Sequence, residues 1–232
     1  VLSIVATPIG NLGDITRRAV ETLRATDAIV CEDTRVTGNL LKQLDVPKKE
    51  LISFHGHSDA GKIAHILSRL ERGENLALVT DAGTPGISDP GYAIISRARE
   101  AGIAIEVIPG PAAFLTALSG SGLPINQFLY LGFLPLKKGR KALLASFAAE
   151  HRTVVLYESV HRIERTLREL AEALRTQPDR RVVIARELTK LHEEFVETTV
   201  HNLPAIAAHI TKKGEFVIMV GPSEGPHGLL AG

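Results

Sequence analysis

At 232 residues, 44% hydrophobic and 23% charged, the chain has the composition of an ordinary folded protein and the length of one large domain or two small ones. Its single cysteine, Cys31, excludes an internal disulfide and a cysteine-cluster metal site and suits a reducing compartment, the cytoplasm; no apolar run is long enough to span a membrane. A formal net charge of +1 leaves no whole-protein field, so a polyanion has to be held by a local patch.

From Val1 the chain lacks the charged region and long apolar core of a signal peptide, so export is not expected. Residues 2–6 read as a strand, and Asp14 as the cap of a helix over 15–23. Residues 28–31 and 51–54 read as short buried strands. Ile63, Ile66, Leu67 and Leu70 then recur at helical spacing until Gly73 ends that helix. Strands over 76–79 and 103–108 follow. The turn-rich Ser119-Gly120-Ser121-Gly122-Leu123-Pro124 breaks the periodicity, which places a junction within 119–127 and domains at 1–120 and 121–232. Beyond it, 128–131, 154–157 and 181–186 read as strands, with a long helix over 163–174. Residues 195–200 and 215–220 carry strand residues with little helix between them. The expectation is two α/β domains, an N-terminal one with a mostly parallel sheet and a C-terminal one with a mixed sheet. Residues 221–228 have turn chemistry without a core and read as a frayed tail.

The most informative stretch is Val79-Thr80-Asp81-Ala82-Gly83-Thr84-Pro85-Gly86-Ile87-Ser88-Asp89-Pro90-Gly91, where three glycines and two prolines follow an apolar run. Glycine admits a ligand close to backbone amides and proline stiffens the loop, so a strand ending here forms a binding crevice. Pro109-Gly110-Pro111-Ala112-Ala113 follows another strand and opens an apolar helix with free amides. Thr7-Pro8-Ile9-Gly10-Asn11-Leu12-Gly13 does not match G-x-G-x-x-G, and no Walker lysine motif follows a strand. Standard dinucleotide and nucleoside-triphosphate sites are therefore disfavoured.

The ordered series Ala6 to Thr16, Glu32-Asp33-Thr34-Arg35, Asp81 to Gly91, Pro109 to Ala113, Gly132-Phe133-Leu134-Pro135, Tyr157-Glu158-Ser159 and Glu187 to Phe195 resembles the tetrapyrrole methylase superfamily over nearly the whole chain. It is most similar to the branch of 16S ribosomal RNA cytidine 2′-O-ribose methyltransferases. The resemblance implies the class III methyltransferase fold, a cofactor cleft between two domains, S-adenosylmethionine as cofactor, the small ribosomal subunit RNA as partner, a homodimer, and no metal or membrane. It carries cofactor contacts to Pro8, Ile9, Gly83, Thr84, Pro85, Ile87, Ala112 and Ala113, and from the second domain to Leu156, Tyr157 and Phe216. Gly86, Ala112 and the 54–59 loop depart from the family pattern, and members of the branch commonly continue past this chain's end into a further helical segment. A small-molecule tetrapyrrole or precorrin methylase and a non-enzymatic nucleotide-binding regulator are the alternatives on the same scaffold.

Glu32, Asp33 and Arg35 follow a strand end, either at the acceptor side of the crevice, with the carboxylates as catalytic candidates, or as a solvated turn with an internal ion pair. Glu158 and His161 either orient a ribose hydroxyl or cap helix amides. Lys137, Lys138, Arg140 and Lys141, with Arg35, are RNA-phosphate candidates, the alternative being a solvated loop. Arg162, Arg165 and Arg168 extend that patch along one helix face. At 4% aromatic content no dedicated base-stacking platform is expected. His55, His57 and Asp59 alternate as metal ligands would, but a substrate loop or polar turn is the better reading without a fourth group. Cys31 reads as a small core residue.

Overall fold

The computed structural model describes residues 1–56 and 60–223. The chain divides into two compact units, Val1–Ala112 and Ala113–Gly232. Strands β1 (Leu2–Val5), β2 (Ala28–Cys31), β3 (Glu50–Ser53), β4 (Leu76–Leu78) and β5 (Ile105–Ile108) form the sheet of the first unit, in the order β3-β2-β4-β1-β5. Every pairing in it is parallel. Helices α1 (Arg17–Ala25) and α2 (Thr34–Gln43) cover one face, where Ala19, Leu23 and Leu41 meet Val5, Ile29, Cys31 and Ala77. Helices α3 (Ala60–Glu71) and α4 (Gly91–Glu100) cover the other, where Ile66, Leu70, Ile94 and Ala98 meet Leu2, Ile4, Val30 and Leu78. Burial on both faces explains why β2 is apolar throughout and β1 is apolar except at the small Ser3. From β1 the chain moves towards β2 and β3, whereas from β4 it moves towards β5. Because β1 and β4 are neighbours, their loops diverge at a topological switch point, where an open α/β sheet forms its ligand crevice.

Three local expectations in this unit are corrected. Thr16, not Asp14, caps α1, its side chain accepting from the Ala19 amide; Asp14 ends a preceding 3-10 turn and leaves Oδ2 buried and unpaired. The strand at 51–54 is an edge strand, half-buried, with only one sheet neighbour. Helices α2 and α4 escaped the sequence reading, because α2 starts Thr-Arg-Val-Thr-Gly-Asn and α4 starts behind Pro90-Gly91, compositions that read as turns.

The second unit contains α5 (Ala113–Gly120), β6 (Phe128–Phe133), α6 (Arg140–Ser146), β7 (Thr153–Ser159), α7 (Ile163–Ala173), β8 (Arg181–Arg186), β9 (Glu194–Thr199), α8 (Leu203–His209) and β10 (Glu215–Val220). The sheet runs β6-β7-β10-β8-β9, parallel between β6 and β7 and antiparallel elsewhere, so it is mixed as expected. One face is the core, where Leu144, Leu167, Leu170 and Leu203 of α6, α7 and α8 pack on Leu156, Ile184, Phe216 and Ile218. Helix α5 packs on β7 and β10 from the other side. The division between the units, at Ala112 and Ala113, lies ahead of the expected 119–127 junction, and α5 ends at Gly120 within the turn-rich stretch. Of the tail, Gly221 and Ser223 are bound, their amides donating to the Arg181 and Glu150 carbonyls at 2.8 and 2.9 Å; residues 224–228 lie outside the described residues. No helix among the described residues is long and apolar enough to cross a membrane.

Candidate active site

Parallel strands put all their carboxyl ends along one edge, and the loops after β1, β4 and β5 are tied together there. Thr7 and Gly83 exchange two backbone hydrogen bonds of 2.9 and 3.1 Å, and the buried Thr7 hydroxyl donates to the Thr80 carbonyl at 3.0 Å. The Thr84 hydroxyl donates to the Pro111 carbonyl at 3.0 Å, which fastens the second loop to the third. Asp89 closes the second loop on itself, accepting from the Gly86 and Gly91 amides at 2.6 Å each. Gly83 holds φ +91°, a left-handed conformation, and a Cβ there would lie 3.5 Å from Ile9 Cγ2 and 3.8 Å from the Pro111 oxygen. These ties hold together the loops that carry Pro8, Ile9, Gly83, Thr84, Pro85 and Ala112, a candidate cradle with Ile87 exposed beside it. Small side chains, a positive-φ glycine and fixed backbone groups suit a ligand gripped through the main chain, which is what the cofactor implied by the resemblance requires.

The same edge carries acids. Glu32 and Asp33 follow β2, and the Asp33 amide donates to Asp81 Oδ1 at 3.1 Å. Burial raises the Glu32 carboxyl above the ordinary carboxylate range, and Asp81 and Asp89 add to the shift while His55 opposes it. Asp33 behaves oppositely. It caps α2, accepting from the Arg35 amide at 2.8 Å, and chelates the Arg35 guanidinium at 2.6 to 3.2 Å, which holds its pKa far below the ordinary range. A carboxylate so stabilised is a poor base, so Asp33 is structural and Glu32 is the acid–base candidate of the pair. The internal ion pair weighed as an alternative for this segment is therefore present, although the Arg35 side chain stays exposed.

In the second unit, several sequence assignments change. The Leu156 and Phe216 side chains point into the core, so only their backbone could meet a ligand. Tyr157 faces the other way, its hydroxyl accepting from the Phe114 amide at 3.2 Å and thus occupying one of the α5 amides read as free. Burial, then Tyr130, push the Tyr157 phenol well above its ordinary value, so it stays protonated and is no base. Glu158 is buried and fully engaged, accepting from the Ser159 amide and Arg162 Nε at 2.8 Å each and from the Thr166 hydroxyl at 2.6 Å. It is a structural carboxylate, not a catalytic one.

Arg140 is likewise no phosphate ligand. At 2% exposure it donates to Thr166 Oγ1 and Glu169 Oε2 at 2.6 Å each and to the Pro135 carbonyl at 3.2 Å. Lys137, Lys138 and Lys141 are exposed, and none forms a salt bridge among the described residues. Arg162, Arg165 and Arg168 pair with Glu158, Glu169 and Glu164, so they add little net charge to the patch. Alternation and run length in sequence could not separate Arg140 from its lysine neighbours; only the packing of α6 against α7 does.

Sequence reading assigned no role to an aromatic cluster. Phe114, Phe128, Tyr130, Phe133 and Tyr157 form one set of ring contacts, with centroids 4.5 to 6.1 Å apart. Half of the seven phenylalanines and three tyrosines gather here, a clustering that overall aromatic content does not reveal. His57 and Asp59 of the weighed metal triad lie outside the described residues, and the described residues contain no group of three or more potential metal ligands. Cys31 is buried in the first unit's core.

Known proteins match this arrangement. The family model for Tetrapyrrole (Corrin/Porphyrin) Methylases matches residues 1–204. A ribosomal RNA small subunit methyltransferase I from Synechocystis sp. is 46% identical over 221 residues, 95% of this chain and 78% of that protein. The protein of that name from Thermotoga maritima is 43% identical over 226 residues, 96% of this chain and 99% of its own length. Among solved structures, a cobalt precorrin-4 methyltransferase superposes with a TM-score of 0.71 at 19% identity, covering 95% of this chain and 94% of that one. Uroporphyrin-III C-methyltransferase from Thermus thermophilus, complexed with S-adenosyl homocysteine, does so at 0.65 and 18%, covering 94% and 96%. With two α/β units, a strand-end cradle built on backbone groups and a family match over most of its length, the chain belongs to the tetrapyrrole methylase family.

Proposed function

We propose that the protein transfers a methyl group from S-adenosylmethionine to small-subunit ribosomal RNA, at the 2′-hydroxyl of a cytidine ribose. The observation that carries this reading is the cradle at the switch point, tied by the Thr7–Gly83 and Thr84–Pro111 hydrogen bonds, with a carboxylate of raised pKa on the same sheet edge. The RNA acceptor is supported by identity of 41 to 46% to several proteins named ribosomal RNA small subunit methyltransferase I. Pro8, Ile9, Gly83, Thr84, Pro85, Ile87 and Ala112 would hold the cofactor, and Ala113, Leu156, Tyr157 and Phe216 are proposed as further contacts, through backbone alone for Leu156 and Phe216. When bound, the cofactor supplies an electrophilic methyl carbon for in-line displacement. Positioning does most of the work: reactants held in attack geometry gain on the order of 7–11 kcal/mol. Glu32 accepts the proton that leaves the ribose hydroxyl, and its raised pKa makes it a better base than an ordinary carboxylate. Arg35, Lys137, Lys138 and Lys141 are the proposed phosphate contacts, and the protein is proposed to work as a homodimer.

Incubation with methyl-labelled S-adenosylmethionine and either isolated small ribosomal subunits or a uroporphyrinoid tests the reading, with label expected in the RNA alone. Label in the uroporphyrinoid, or in neither, would overturn it. In the same assay Glu32→Gln should slow transfer by about 10²- to 10⁴-fold without loss of cofactor affinity. Wild-type transfer should fall on acidification along a limb centred above the ordinary glutamate pKa of about 4.3, because only the deprotonated carboxylate accepts a proton. A Glu32→Gln variant that keeps this limb would remove Glu32 from the mechanism.

A further inference from the structure

We propose that Phe133 is a stacking platform for an unpaired nucleobase of the RNA substrate, an inference that rests on the RNA acceptor proposed above. The β6–β7 register breaks between Tyr130 and Phe133, and Gly132 sits in that break at φ +60°. A bulge of this kind re-aims the residue that follows it. Phe133 is accordingly 51% exposed at the end of the strand, although it lies against Tyr157, ring centroids 5.6 Å apart. The Arg162 guanidinium braces it from 5.8 Å. Arg162 is itself fixed, Nε on Glu158 at 2.8 Å and Nη1 on the Leu134 carbonyl at 3.0 Å. A ring held this firmly loses little freedom when a base stacks on it, so the contact appears as affinity.

The surroundings are those of a single-strand site. Lys137, Lys138 and Lys141 follow on the same segment, exposed and without salt bridges among the described residues. Phe133 and Lys137 are four positions apart, a span of at most about 14 Å. An aromatic face beside unpaired cations matches a base followed by its phosphates. A second copy of this chain fits the patch less well. A two-fold contact places the same surface on both sides, so each copy's lysines would approach those of the other.

The test uses the full chain, a single-stranded RNA oligonucleotide carrying one 2-aminopurine, and isolated small ribosomal subunits. Phe133→Ala should weaken binding of both by roughly 5- to 150-fold, the range for loss of one stacked base, and abolish the quenching of 2-aminopurine. Its slope of log affinity against log salt should match wild type, and Phe133→Trp should restore affinity and quenching. The Lys137→Ala, Lys138→Ala, Lys141→Ala triple variant should show the reverse, with quenching retained and the slope reduced by about 0.7 per lost contact on the single strand. Wild-type binding and quenching by Phe133→Ala overturns the platform. Loss of dimer mass with RNA affinity intact assigns the patch to self-association, and selective loss of S-adenosylhomocysteine affinity assigns it to the cofactor; either overturns the proposal. Failure of the wild-type protein to bind either RNA removes the RNA acceptor itself, an outcome distinct from all of these.

Discussion

Arg140→Ala should destabilise the second unit by about 3–5 kcal/mol, the cost of breaking a buried ion-pair network by removing one of its members. Its guanidinium is held between the 135 carbonyl, Thr166 and Glu169, and Thr166 in turn donates to Glu158, whose side chain is completely buried. Alanine removes the cation from this network and leaves Glu158 with Arg162 as its remaining cationic partner. Glu169 also loses support: burial raises its pKa, and the bonds from Arg140 and Arg165 outweigh that and keep it below the ordinary range. Urea denaturation checks this directly. A solvated arginine that contacted only RNA would shift stability by no more than about 0.5 kcal/mol. The double variant Arg140→Met, Glu169→Gln should recover part of the loss, because Glu169, the carboxylate that Arg140 meets at 2.6 Å, then no longer has to stay charged beside a missing cation. A midpoint unchanged in Arg140→Ala would show that the network contributes nothing.

Gly83→Val should lower cofactor affinity at least tenfold, about 1.4 kcal/mol, while the protein remains folded. Valine at φ +91° is strained, and its γ carbons would press on Ile9 and the Pro111 carbonyl, which a Cβ alone would approach at 3.5 and 3.8 Å. Relief has to come from the loop, and the loop is bound in both directions to Thr7, so the cradle moves as a whole. The strain itself costs on the order of 1–3 kcal/mol of stability. Gly102 provides the control. It also has positive φ, +68°, with nothing within 4 Å of a Cβ, so Gly102→Val carries similar backbone strain away from the loops. Calorimetry with S-adenosylhomocysteine should find the affinity loss in Gly83→Val and near wild-type binding in Gly102→Val. Equal losses in both would mean that general strain, not the cradle, is being measured.

Much of this protein was legible as residues. Apolar runs identify β1, β2 and β4, and the glycines and prolines behind β1 and β4 identify their loops, because a strand buried on both faces and the turn that ends it each demand a narrow set of residue types. The ordered series of motifs was enough to indicate the family, and with it the cofactor, since those motifs are loops whose backbone conformation depends on particular glycines and prolines. What the sequence could not determine was how charged and aromatic side chains are spent. Lys137, Lys138, Arg140 and Lys141 are one basic run on paper, yet Arg140 starts α6 facing α7 and enters a buried network while the lysines stay in water. Asp33 and Glu32 are adjacent carboxylates driven in opposite directions, one by a guanidinium and helix amide that it captures, the other by burial beside Asp81 and Asp89. Five scattered aromatics become one cluster only when α5, β6 and β7 pack together. Local patterning determined the strands, the turns and the family because those depend on neighbours in the chain. Tertiary structure alone decided which charges are free and which rings are exposed, because desolvation and ion pairing depend on neighbours in space.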